Sequence, residues 1–133
     1  MLAAVLVVVL LSLVGKGFIH AEPKAPHVLV GLGSCLFTMI SVNLRDKYLS
    51  PNADPARICA QIVSGMGFLG SATIFKSNNY VKGINTAANL WISAAISMAI
   101  GADLWELGLI TSSFTCLVLF VNNRYKKYHY GKK

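Results

Sequence analysis

Residues 65–70 read GMGFLG, and the reading of this hexapeptide decides the fold. Its spacing is G-x-G-x-x-G, the pattern with which soluble dehydrogenases cradle a dinucleotide pyrophosphate. That chemistry requires a strand before the glycines, a helix after them and an acidic residue about 20 positions further on to hold the ribose. Here the preceding residues, DPARICAQIVS, open with a helix-start signal, and no Asp or Glu occurs between Asp54 and Asp103. The dinucleotide reading fails. The glycines must serve the packing of a helix.

The surrounding chain says what kind of helix. Of the 133 residues, 55% are apolar and only 13% charged, a balance that calls for lipid as the solvent. Apolar runs occupy residues 2–14, 28–44, 58–75, 85–102 and 104–121, and most approach the roughly 20 residues a helix needs to cross hydrocarbon. The expected fold is an all-α membrane protein, a bundle of about five transmembrane helices. Residues 1–123 form the transmembrane domain and 124–133 a basic cytoplasmic tail. The first run is short enough to suggest a signal peptide, but it lacks a basic leading region and no A-x-A site precedes HAEPKAPH. It is expected to remain as a helix, extended through residues 15–19 with Lys16 reaching the interface.

The formal charge of +7 sets the orientation. With the C-terminus in the cytoplasm, Lys16, Lys24, Lys76, Lys82, Arg124, Lys126, Lys127, Lys132 and Lys133 fall inside, and only Arg45, Lys47 and Arg57 outside. The N-terminus is then outside, and the chain is expected to be a multi-pass protein of the plasma membrane with the lipid bilayer as its first partner. Basic residues are scarce within the apolar runs and gather in the tail, so nucleic acid is not an expected partner. Pro23, Pro26, Pro51 and Pro55 are expected between helices.

Chemistry-bearing clusters are sparse. Cys35, Cys59 and Cys116 lie singly in apolar runs and read as small fillers. His20 and His27 share one loop and make too weak a pair for a metal site. No nucleophile, base and orienting group come together in the pattern, so no enzyme, cofactor or metal centre is expected.

The information sits in the two middle helices. In the third apolar run Ala56, Ala60, Ser64, Gly67 and Ser71 recur at helical spacing along one stripe, opposite Ile58, Ile62 and Leu69. Small residues let another backbone approach, which drives helix association in lipid; Gly67→Leu is therefore expected to wedge the helix from its neighbour. Gly65 and Gly70 lie off that stripe and imply a second close neighbour, a local kink, or simply the general tolerance of glycine in membrane helices. In the fourth run Asn85, Asn89, Ser93 and Ser97 repeat every four residues with Thr86 beside them, while Ala87, Ala94 and Met98 face away. This polar side either hydrogen-bonds to another helix or lines a polar pathway or ligand cleft facing the third helix. In NADPAR, residues 52–57, Asp54 is expected to cap the helix, Pro55 to take its first position, and Arg57 to pair with Asp54, Asp103 or Glu106. Gln61 extends that polar edge inward, toward Asn85 and Asn89.

The two blocks DPARICAQIVSGMGFLGSATIF and VKGINTAANLWISAAISMAIG, residues 54–75 and 81–101, together resemble the MgtC/SapB family of bacterial integral membrane proteins. Upstream, His27, Leu29, Val30, Gly33 and Ser34 also resemble the family's second helix. The chain departs from the pattern in GKGFIHAEPKAPH, where the family's first polar cluster is missing or partly replaced by Lys16, Glu22 and Lys24. It departs again at Ala72, Asn85 and Asn89. The resemblance implies a multi-pass membrane protein linked to growth under low magnesium, in a short form without the cytosolic C-terminal domain of the better-known members.

Two functions follow as expectations. A membrane regulator that acts through helix–helix contacts with another membrane protein, or as a homo-oligomer, suits the small and polar stripes. The alternative is a transporter, or transport accessory subunit, for magnesium or another small solute. Mg²⁺ prefers octahedral oxygen ligands, yet the chain has five acids in all and none deep in a span.

Overall fold

The computed structural model describes residues 25–48, 54–77 and 80–130. The first apolar run, with Lys16, His20, Glu22 and Lys24, lies outside the described residues. Four helices follow in chain order: α1 (Ala25–Tyr48), α2 (Ala56–Thr73), α3 (Ile84–Gly101) and α4 (Trp105–Tyr130). Between α2 and α3, β1 (Phe75–Ser77) and β2 (Tyr80–Lys82) form a small antiparallel ribbon with Lys76 opposite Val81.

Local chemistry sets each boundary. Pro26 falls inside the first turn of α1 instead of between helices; an N–H is not used there, so proline is tolerated. Ahead of α2 the Asp54 carboxylate accepts a hydrogen bond from the Ala56 N–H at 2.9 Å, and Pro55 has helical angles (φ −61°, ψ −25°). Asp54 is thus the cap and Pro55 the first helical residue, as the sequence predicts. The chain leaves α2 through the extended Ile74 directly into β1. Residues on both sides of the turn in the stretch KSNNYVKG, 76–77 and 80–82, therefore belong to a ribbon. Gly83 then starts α3 at φ 89°, with a Cβ at that position only 1.8 Å from the Thr73 carbonyl oxygen. Glycine alone fits where the ribbon folds back on the end of α2.

The end of α3 is a Schellman turn. Leu104 N–H reaches the Ala99 carbonyl at 2.9 Å and Asp103 N–H the Ile100 carbonyl at 3.2 Å, with Asp103 itself left-handed at φ 63°. The Trp105 indole N–H donates to the Asp103 carboxylate across the turn. Helix α4 continues without interruption to Tyr130, through residue 123.

Helix α3 is the centre of the bundle and packs on the other three, while α1 and α2 touch each other only lightly. Two apolar clusters fix the directions. Val30, Ile62 and Met66 gather around Leu90 and Ala94, and Cys35 and Met39 around Ile96 and Ile100. Positions rise together along α1 and α3, so these run parallel; they fall along α2 as they rise along α3, so those run antiparallel. A Cβ on Gly108 would lie 3.0 Å from the Ile100 side chain and 3.8 Å from the Ile96 carbonyl, which places α4 antiparallel to α3.

Two of these helices, over Pro26–Asp46 and Ile84–Gly101, are long and apolar enough to cross a membrane. The apolar part of α4, Trp105–Val121, is shorter. Large apolar side chains such as Phe37, Phe68, Ile110, Phe114 and Leu117 are exposed along the bundle. An apolar surface this extensive is foreign to a soluble monomer and normal against lipid.

Candidate functional site

Along α1, His27, Ser34, Thr38 and Ser41 are all buried, with Gly31 between the first two. Their spacing of seven, four and three residues puts them on one face of the helix. That face meets α3: a Cβ added to Gly101 would sit 2.6 Å from the Cys35 carbonyl oxygen and 3.1 Å from the Thr38 Cβ. From α3, Ser97 adds a side chain with 0% exposure. The α1–α3 seam is therefore lined with small polar groups and closes to backbone contact at Gly101.

Two of the four hydroxyls have backbone acceptors. Thr38 donates to the Ser34 carbonyl at 2.8 Å, and Ser41 donates to the Pro55 carbonyl at 3.2 Å, tying α1 to the start of α2. The Ser97 Oγ and the His27 Nε2 are buried and have no hydrogen-bond partner among the described residues. Buried polar atoms in that state are rare, and each adds a desolvation cost of about 1 to 3 kcal/mol. Sequence reading passed over this seam, although its spacing was available, because apolar residues surround each of the four positions.

The residues expected to form the site are placed differently. On α2, Ala60, Ser64, Gly67 and Ser71 are exposed, and among the described residues nothing lies within 4 Å of a Cβ built on Gly65 or Gly67. This stripe is not the face that packs on the other described helices. Helix α3 instead meets Ile62, Met66 and Gly70, a quarter-turn and more away. Gly70 is the close approach: its Cβ would be 3.4 Å from the Trp91 Nε1 and 3.6 Å from the Ala87 Cβ. The second close neighbour expected for Gly70 is thus α3, and Trp91 lies over this glycine.

On α3 the polarity is also turned. Ala87 and Ala94, expected to face away, are buried in the bundle, whereas Asn85 is exposed and Thr86, Asn89 and Ser93 are half-buried. Ser93 donates back to the Asn89 carbonyl of its own helix at 2.8 Å, which uses its one proton and leaves only its lone pairs for a neighbour. Only Ser97 of the four-residue repeat reaches the seam.

The polar edge drawn from Asp54, Arg57 and Gln61 to Asn85 and Asn89 does not assemble. Because α2 and α3 are antiparallel, the start of α2 lies beside the end of α3, and Asn85 lies beside the other end of α2. Arg57 is thirteen residues along α2 from Gly70, the α2 neighbour of Ala87, and at 1.5 Å per residue that is about 20 Å. Arg57 and Gln61 are exposed. Among the described residues Arg57 makes no ion pair; the salt bridge present joins Arg45 and Asp46, adjacent and exposed, at 2.8 Å.

Beside the seam, an open groove of about 690 Å³ separates α1 from α2. Val30, Gly33 and Phe37 line it from α1, and Gln61, Gly65 and Leu69 from α2. Among the described residues no three His, Cys, Asp or Glu side chains come together to hold a metal ion.

The model of the MgtC family matches residues 25–128, all four helices. The protein named "Putative magnesium transporter YhiD" from Escherichia coli (strain K12) is 45% identical over 98 residues, covering 71% of this chain and 46% of that protein. Protein MgtC from Brucella abortus (strain 2308) is 40% identical over 92 residues, 69% of this chain and 37% of its own. Protein SapB from Bacillus subtilis (strain 168) is 36% identical over 83 residues, 59% of this chain and 36% of its own. The chain thus spans less than half the length of these relatives. No solved structure matches it.

Proposed function

The chain is a membrane protein of the MgtC family, and from that premise we propose that it is a non-catalytic regulator in the plasma membrane, acting through helix–helix contacts with another membrane protein during adaptation to low magnesium. The magnesium connection rests on the name carried by the Escherichia coli relative. The observation that carries the regulatory reading is the outward small-residue stripe of α2. Ala60, Ser64, Gly67 and Ser71 are exposed, opposite the faces used by α1 and α3, and among the described residues nothing lies within 4 Å of a Cβ built on Gly67. A partner helix can approach such a stripe to backbone distance, where packing in lipid gains most.

In this reading the chain crosses the bilayer five times, N-terminus outside and C-terminus in the cytoplasm. The alternation of α1 to α4 supports that orientation, because it gathers Arg45 and Arg57 at one end of the bundle. At the other end lie Lys76, Lys82 and the C-terminal run containing Arg124, Lys126 and Lys127. Helix α2, 18 residues and about 27 Å long, crosses with Arg57 extended to the headgroups.

Transport is the second reading, favoured by the buried polar seam of His27, Ser34, Thr38, Ser41 and Ser97. Its hydroxyls and single imidazole offer no carboxylate to a hydrated Mg²⁺. The deciding experiment is magnesium flux into vesicles containing only this protein. The regulatory reading expects none above empty vesicles; flux that saturates with magnesium and disappears in Thr38→Leu would replace it with transport.

A further inference from the structure

The ribbon between α2 and α3 has no face of a single polarity. Residues opposite each other in an antiparallel pair project to the same side, so Lys82 shares one face with Phe75 and Lys76 shares the other with Val81. The remaining pair, Ser77 and Tyr80, lies on the face of Phe75. Phe75, Lys76, Tyr80, Val81 and Lys82 are all exposed, as is Ile84 just beyond them. A two-stranded ribbon is marginal in water. One with apolar and cationic side chains on both faces belongs at a boundary between hydrocarbon and charge.

Its depth is that boundary. β1 starts two residues after α2, whose 18 residues cover about 27 Å, close to the roughly 30 Å of a bilayer's hydrocarbon. Gly83, pressed against the Thr73 carbonyl, keeps β2 at the same level. Charge is also segregated along the bundle. Among the described residues the acids are Asp46 near the end of α1, Asp54 ahead of α2, and Asp103 and Glu106 at the turn into α4. With α1 parallel and α2 and α4 antiparallel to α3, all of these lie at the end away from the ribbon. Sixteen residues back along α3 from the Gly108–Ile100 approach is Ile84, and sixteen forward along α4 is Arg124. Arg124, Lys126 and Lys127 therefore sit at ribbon level on α4, and Lys76 and Lys82 make no ion pair among the described residues.

We propose that the ribbon binds the phosphate headgroup of an anionic phospholipid, with Lys76 and Lys82 reaching the phosphate from its two faces and Phe75, Val81 and Ile84 lying against the acyl chains. The proposal rests on the reading that α2 and α3 cross the bilayer. A lysine at such a boundary lays its aliphatic stem along an apolar neighbour and extends its ammonium to the charge. Phe75 beside Lys82 and Val81 beside Lys76 supply those neighbours. Tyr80 adds an apolar ring with a polar tip, the make-up of an interfacial residue. A soluble acidic partner would meet the cations but leave the apolar side chains between them uncovered. Each lysine near an anionic bilayer surface strengthens attachment about five-fold, and two together about 25-fold.

The test uses the full chain in nanodiscs, with Cys35, Cys59 and Cys116 changed to alanine and a fluorophore on Ser77→Cys. Phosphatidylglycerol and phosphatidylcholine carrying the same nitroxide quencher near the headgroup are titrated separately into unlabelled phosphatidylcholine. The expected result is tighter association of phosphatidylglycerol, weakened about five-fold by Lys76→Gln or Lys82→Gln and about 25-fold by both, and kept by Lys82→Arg. Equal association of the two lipids, or a preference unchanged in the double variant, overturns the proposal. Displacement of the labelled lipid by inorganic phosphate or an acidic peptide at equal concentration assigns the lysines to a soluble anion and overturns it as well. The same fluorophore separates the premises. Quenching by both lipids without preference removes only the headgroup site, while no quenching by either takes the ribbon away from the bilayer and with it the crossing of α2 and α3.

Discussion

Gly101→Ala tests the closest helix-to-helix approach at a glycine among the described residues. An alanine Cβ at this position would stand 2.6 Å from the Cys35 carbonyl oxygen, 3.2 Å from the Cys35 Cα and 3.1 Å from the Thr38 Cβ. Carbon–oxygen contacts between helices settle near 3.3 Å or more, so the shortfall at the carbonyl is about 0.7 Å. Two of the three atoms are backbone and the third is bonded to it, so no rotamer change relieves the clash. The α1 helix must move as a body. A gap of 0.5 to 1 Å forfeits about a quarter to a half of each van der Waals well it opens, and α1–α3 is the most extensive interface in the bundle. Overpacking of this kind costs about 1 to 3 kcal/mol. The better helix propensity of alanine offsets at most about 1 kcal/mol, and less at the last helical residue.

The control is Gly67→Ala, where no described residue lies within 4 Å of the new Cβ and only the propensity gain of up to about 1 kcal/mol remains. Unfolding of the purified proteins in mixed detergent micelles, titrated with a denaturing detergent and followed by circular dichroism, should place Gly101→Ala below the parent and Gly67→Ala at or above it. Parent-like stability for Gly101→Ala refutes the close approach of α1 and α3. Equal damage from Gly67→Ala would return the small stripe to an intrachain packing role.

Gly83→Ala should be more damaging than either, because a left-handed non-glycine residue costs about 1 to 3 kcal/mol by itself and the Cβ would lie 1.8 Å from the Thr73 carbonyl oxygen; loss of folded protein from the membrane fraction is the readout. Asp54→Ala removes the hydrogen bond to the Ala56 N–H and should lower stability by about 0.5 to 2 kcal/mol, while Asp54→Asn retains most of it; the same detergent titration distinguishes them. Arg57→Gln should leave membrane levels unchanged, since Arg57 is exposed and without an ion pair among the described residues. Loss of growth in low magnesium with that variant would then mark Arg57 as part of a recognition surface, and full growth would remove it from the site.

What the sequence made legible was the kind of element and where it starts. The apolar runs located α1 to α4, the rejected dinucleotide pattern became a helix, and Asp54 with Pro55 marked the start of α2. What it hid was direction. Periodicity identifies a stripe but not which stripe is buried, and in lipid the usual rule that apolar means inside gives no help. The small residues of α2 therefore looked inward and face outward, while Ala87 and Ala94 of α3 looked outward and are buried. The polar edge failed for a related reason: Arg57 and Asn85 can be neighbours only if α2 and α3 are parallel, and the short ribbon between them makes them antiparallel. That ribbon is formed by two three-residue strands, too short for alternation to register beside the long apolar runs.

The hydroxyl groups explain why shape carries so much of the recognition in this bundle. Thr38, Ser71, Thr73, Ser93, Ser113 and Thr115 each donate to a carbonyl three or four residues back in the same helix. A hydroxyl satisfied this way is masked in hydrocarbon and has no donor left for a neighbouring helix. Among the described residues, Ser41 to the Pro55 carbonyl is the side-chain hydrogen bond that ties one helix to the lead-in of another. The contacts that discriminate one helix pairing from another are then the places where side chains are missing. Gly101 admits α1, Gly70 admits Trp91 and Gly108 admits Ile100. Under the proposed regulatory function, the small-residue face of α2 would follow the same rule and select a partner by how closely its backbone can come. Ser71 fits that rule, because it already spends its proton on the Phe68 carbonyl at 2.8 Å.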